Sequence, residues 1–167
     1  MATRKSRWIY LGILMISAWI FCYSTQAGAE TMNYKFYTWV IKAEPIPVAD
    51  VEGHNVSLNV RGAFYVFENG EVATTQSVAT ADTIKGSGPF MQYVTINFAD
   101  GSTIIIKSQG TVGAPAAGAL ASGGWTSEII KGTGRFEGIK GTITTKVKYF
   151  PIEKDEAGAK GIGEGII

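Results

Sequence analysis

From residue 34 to residue 150 the chain repeatedly alternates apolar and polar side chains with a period of two, and no run after residue 30 places apolar groups at helical spacing. A period of two fits a pleated strand with one face buried, so the pattern restricts the chain to an all-β fold. Tyr34 to Ala43 predicts a first strand, with Tyr34, Phe36 and Val40 on one face and Tyr37, Trp39 and Ile41 on the other. A strand apolar on both faces predicts a covering on both, by a second layer or a second subunit. Val56, Leu58 and Val60 then alternate with Ser57, Asn59 and Arg61, and that strand continues into Phe64 to Phe67.

Turns divide the remaining strands. Asn69-Gly70 suits the positive φ of a tight hairpin, and Val72 to Lys85 follows as a long, bent strand. The strongest hairpin signal is Phe90 to Gln109 with Asp100-Gly101 at its tip. A two-residue turn there predicts that Val94, Ile96, Phe98 and Ile105 share one face while Tyr93, Thr95, Asn97 and Ile106 share the other. Thr142 to Phe150 predicts a strand with Ile143, Val147 and Tyr149 inward and Thr144, Lys146 and Lys148 outward.

The segment before the alternation has a different character. Arg4, Lys5 and Arg7 precede an apolar run from Trp8 to Cys22, and Ala27-Gly28-Ala29 has the small-x-small pattern of a secretory cleavage site. Residues 1–29 therefore predict a signal peptide and a secreted or periplasmic protein without a stable membrane span after cleavage. Residues 30–151 predict one domain, and the charged, Gly-rich residues 152–167 a flexible tail. Cleavage leaves 12 basic and 14 acidic residues, a balance that predicts no nucleic-acid partner. It also removes Cys22, the single cysteine, so disulfides are not expected to staple the fold.

Gly132 to Gly141 (GTGRFEGIKG) places four glycines before a strand. Glu137 stands where a dinucleotide fingerprint needs its third glycine, and the segment that follows is not helical, so the stretch predicts a tight bend instead of a phosphate cradle. Gly110 to Gly124 is mostly alanine and glycine, which predicts a plain connection or a lid over a barrel mouth. His54 is the single histidine, so zinc and thiol chemistry lack ligands and no metal or cofactor is expected. Among the carboxylates, Glu128 follows Trp125 and is the candidate pocket acid, with a catalytic role if the protein is an enzyme.

Gly132, Gly134, Phe136, Glu137, Gly138 and Gly141, followed by a strand ending in Tyr149-Phe150-Pro151, resemble the signature near the end of the allene oxide cyclase barrel, whose relatives include the dirigent proteins. Asn97 to Ser102, leading to Ser108-Gln109-Gly110, is similar to the hairpin that precedes it there. The resemblance implies an eight-stranded antiparallel β-barrel, commonly a homotrimer, that holds a flexible molecule in one conformation. Cyclase residues do not carry over, because Tyr34 to Ala43 holds no acid and no asparagine and the domain has no cysteine. The expected function is binding of a small apolar or aromatic ligand, with two alternatives: a cyclase, isomerase or stereodirecting factor, or a non-catalytic structural module. Arg61, Tyr93, Asn97 and Glu128 are the expected polar groups of the pocket, flanked by Phe90, Phe98 and Trp125.

Overall fold

A computed structural model describes residues 31–113, 121–151 and 158–167. The expected signal peptide and residues 114–120 of the Ala/Gly stretch lie outside these, as do residues 152–157. The described chain is all-β apart from one 3₁₀ turn, Gly134–Phe136. Its strands are β1 (Asn33–Pro47), β2 (His54–Phe67), β3 (Val72–Ile84), β4 (Gly88–Phe98), β5 (Thr103–Val112), β6 (Ala121–Thr133), β7 (Thr142–Tyr149) and β8 (Gly161–Ile166). Each pairs antiparallel with the next, and β8 pairs with both β7 and β1, which closes the sheet into a barrel. Closure leaves no strand edge open to stray pairing.

Inward residues of β1, β2, β4, β5 and β7 fill the lower half. Tyr34, Phe36, Tyr65, Phe67, Ile96, Phe98, Ile104, Ile106, Ile143 and Val147 are buried together. Phe98 lies 5.5 Å from Phe67 and 4.6 Å from Phe136, so three phenyl rings stop one end of the barrel. Arg135 spreads over the Phe98 and Phe136 rings at 4.8 and 4.7 Å and bonds Glu71 (2.5 Å) and Asp100 (3.3 Å) from the two neighbouring hairpins. The Gly132 to Gly141 stretch is this floor. A Cβ on Gly132 would fall 2.0 Å from the Phe136 carbonyl oxygen, and Gly134 has a φ of +61°, so the chain can fold under the barrel only with glycine at these positions.

Two expectations are corrected. The middle hairpin turns through three residues, Ala99 to Gly101: the Phe98 N–H donates to the Ser102 carbonyl, and Gly101 has a φ of +83°. That extra residue moves the partner strand by one, so Val94 pairs with Ile106 and Ile96 with Ile104, and Ile106 points inward where Ile105 was expected to. The second correction concerns the tail. Residues 161–166 are not flexible but form β8, and Gly161 and Gly165 are buried on its inner face. A Cβ on Gly163 would lie 2.5 Å from the Phe36 ring and 2.2 Å from the Lys146 carbonyl oxygen, and one on Gly165 would lie 2.3 Å from the Tyr34 ring. The glycines thus make room for the rings of β1, the strand beside them.

This fit generates a stability prediction. Gly163→Ala is expected to destabilise the barrel by roughly 1–3 kcal/mol in denaturant unfolding, the usual cost of overpacking. Glu164→Ala, on the exposed face of the same strand, is expected to stay within about 0.5 kcal/mol. Equal effects at the two positions would refute the role given to the inward glycines.

Candidate functional site

Above the apolar floor the inward positions change character. Thr38 of β1, Arg61 of β2, Thr75 and Ser77 of β3, Gln92 of β4, Trp125 of β6, and Thr145 and Tyr149 of β7 line a cavity of about 50 Å³ inside the barrel. Each belongs to the same alternation that buries the core one or two pleats further down its strand. The polar groups beneath the cavity are paired among themselves. Ser108 and Ser127 hydroxyls, both fully buried, meet at 2.7 Å, and the Tyr34 hydroxyl meets the Thr145 hydroxyl at 3.3 Å. Tyr34 also stacks on Tyr65, with centroids 4.5 Å apart.

Burial holds all three tyrosines of this region above the ordinary phenol pKa. For Tyr65 the rise is large, with the neighbouring Tyr34 adding to it; for Tyr149 the positive charge of Arg61 works weakly against burial. These phenols are therefore neutral hydrogen-bond donors at physiological pH. Arg61 reaches the cavity from β2, donating to the Ala159 carbonyl at 2.8 Å and to the Thr38 hydroxyl at 3.4 Å, with its guanidinium 5.4 Å from the Tyr149 ring centre. Among the described residues the cavity has no carboxylate in its wall.

Of the residues expected from the sequence, Arg61 and Trp125 meet in the cavity wall, and Phe90 packs edge-on against Trp125 at 5.2 Å. Phe98 belongs to the floor instead. Tyr93, Asn97 and Glu128 are exposed on the outer face. Glu128 sits opposite Lys107 and does not face the interior, so a pocket-acid role is not open to it there. Its neighbours Ser127 and Ile129 occupy the inward positions, and the pleat sends Glu128 the other way. Thr38, Ser77, Gln92 and Thr145 were not expected at the site. The available signal was the appearance of hydroxyl and amide side chains in the inward phase of otherwise apolar strands.

No family model matches the chain, and no curated protein matches it. Solved structures do. The pterocarpan synthase dirigent protein GePTS1 superimposes with a TM-score of 0.50 at 13% identity, over 82% of this chain and 86% of that one. The pterocarpan synthase dirigent protein PsPTS1 gives 0.49 at 12% identity, over 83% and 94%. At this identity the likeness is one of fold: the chain shares a closed eight-stranded antiparallel barrel with these proteins. Both of these structures are dirigent proteins, and neither is an allene oxide cyclase.

A second polar cluster joins Asp50 of the β1–β2 connection, His54 at the start of β2 and Asp82 of β3. His54 Nδ1 is 2.5 Å from Asp50 Oδ1, and His54 Nε2 is 2.7 Å from Asp82 Oδ1. Hydrogen bonds that His54 donates to Asp50 first and Asp82 second raise its pKa above its ordinary 6.5, and the Asp50 contact lowers the Asp50 carboxyl in turn. The His54 contribution to stability is therefore complete below 6.5 and is lost as pH rises through the folded-state value. The Asp50 contribution is present above 3.8 and is lost as pH falls through its own lowered value. NMR titration is expected to place His54 above 6.5 in the folded protein and to show Asp82→Asn moving it down. An unshifted His54 would remove the bridge.

Proposed function

We propose that this protein is a dirigent-like binding barrel, one that holds a small aromatic molecule at the cavity above its phenyl floor and fixes the conformation in which that molecule reacts. The observation that supports this most directly is the composition of the interior: a sealed phenyl floor, then hydroxyls, then an indole and a phenol around a cavity. Binding sites of this kind combine apolar walls with a few convergent polar groups. The work assigned to the protein is positioning. Among the described wall residues no carboxylate is present to act as general acid or base, and the tyrosine hydroxyls are held protonated. The GePTS1 structure is that of a pterocarpan synthase; here we carry over control of conformation and leave that product aside.

The outer face of β1, β2 and β8 supports a second element of the proposal. Tyr37, Phe64, Val66 and Ile162 are each 40–49% exposed and border a groove of about 830 Å³ with Lys35, Lys146, Lys148 and Glu164 around them. Trp39 stacks toward Tyr37 and lies 5.1 Å from Phe64, which extends the aromatic patch. A contiguous apolar surface with charged neighbours suits association, and we assign it to other copies of this chain, as a homotrimer in the secreted or periplasmic compartment.

Two measurements test these assignments. Native mass spectrometry of protein purified from its own host is expected to reveal a retained aromatic molecule, and Trp125→Ala to reduce its occupancy roughly tenfold or more, as loss of a stacked aromatic anchor does. Protein that stays empty after exposure to mixed phenolic compounds would favour a structural module. Light scattering is expected to give three times the chain mass, with Phe64→Glu converting it to monomer. A wild-type monomer would overturn the trimer.

A further inference from the structure

Arg61 is the unusual member of the cavity wall. Salt bridges among the described residues engage Lys42, His54 and Arg135, all on the outside or at the barrel ends, and none engages Arg61. Its described partners are a carbonyl, a hydroxyl and an aromatic ring, which use two of the five N–H donors that a guanidinium carries. The charge persists, because arginine stays protonated in proteins even where burial pulls its pKa down, as it does here. A partly desolvated cation with no anion among the described residues is costly, and structures retain one where something supplies the opposite charge.

Resting on the ligand-binding reading above, we propose that Arg61 makes the cavity a receptor for a carboxylate-bearing aromatic molecule: the guanidinium forks onto the carboxylate while Trp125 and Tyr149 wall the ring. A planar guanidinium matches the two oxygens of a carboxylate, and such charge-assisted pairs are about twice as strong as neutral hydrogen bonds. Ser77 is paired with Arg61 across β2 and β3 and lines the same cavity, as does Gln92, so two further polar side chains stand in the wall that would receive the anion. The cavity of about 50 Å³ is of the size to take a carboxylate and the carbon that bears it. The ring then stands at the margin of this volume against Trp125, which Phe90 meets edge-on from behind. A neutral phenol or alcohol of the same shape would leave the Arg61 charge unanswered.

The test is calorimetric titration of the purified protein with phenylacetate and two neutral counterparts, phenylacetamide and phenethyl alcohol. The acid is expected to bind at least about tenfold more tightly than either. Arg61→Gln is expected to abolish that preference, with phenylacetate affinity falling to that of phenylacetamide for the same variant, and Arg61→Lys to keep part of it. Equal affinities for all three compounds in the unaltered protein would overturn the carboxylate assignment and leave ligand binding intact. Absence of binding by any of the three would overturn the ligand-binding reading and this inference with it. Should Arg61→Gln fail to fold, the Arg61 Nε–H resonance of the unaltered protein decides: movement with phenylacetate but not phenylacetamide supports the assignment, and an unmoved resonance refutes it.

Discussion

Closure of the barrel depends on the fit between the rings of β1 and the bare inner face of β8. Six residues of β8 complete the hydrogen-bond ladders of both β1 and β7, which would otherwise be two unprotected edges. Glycine is a poor strand former, so this segment owes its conformation to what it touches. Phe36 packs where a Gly163 side chain would stand and Tyr34 where a Gly165 side chain would stand. Once seated, Tyr34 stacks on Tyr65 and directs its hydroxyl to Thr145, which fixes the boundary between apolar floor and polar cavity. The position of the cavity is thus a consequence of how the sheet closes.

The interior has two regions with different chemistry. Below, aromatic and aliphatic side chains supply the burial that stabilises the domain. Above, the serine pair and the tyrosine–threonine pair satisfy one another, so they can be buried without the desolvation penalty of unpaired hydroxyls. Arg61 stands at the upper limit of this polar region, between β1, the chain at Ala159 and the Tyr149 ring.

Much of this was legible in the alternation of side chains. The inward phase of β7 follows from it, and with that phase the placement of Tyr149. β1 is apolar on both faces, and in β2 the alternation points Val56 and Leu58 inward, whereas they are exposed and Ala63, Tyr65 and Phe67 hold the inward phase that Arg61 shares. Trp125 was legible as a large apolar residue on the strand entering the glycine bend. β8 was not legible, because glycine on the buried face removes half of the alternating signal: Ile162, Glu164 and Ile166 are visible, and the partner that explains the gaps between them lies more than a hundred residues upstream. The middle hairpin failed on loop length, since Asp-Gly serves in both two- and three-residue turns and one residue decides which face each partner shows. Tyr93, Asn97 and Glu128 were misplaced because polar or aromatic character does not reveal which way a pleat points; their neighbours Val94, Ile96, Phe98 and Ser127 hold the inward positions.

The floor carries a kinetic meaning. Phe67, Phe98 and Phe136 block one end, and Arg135 fastens that plug to two hairpins through Glu71 and Asp100. In the binding barrel proposed above, a molecule inside would not exchange past this plug, so arrival and departure would share the opposite end. On that proposal the groups around Arg61 and Trp125 would set the residence time, and changes to the floor would act on the lifetime of the fold.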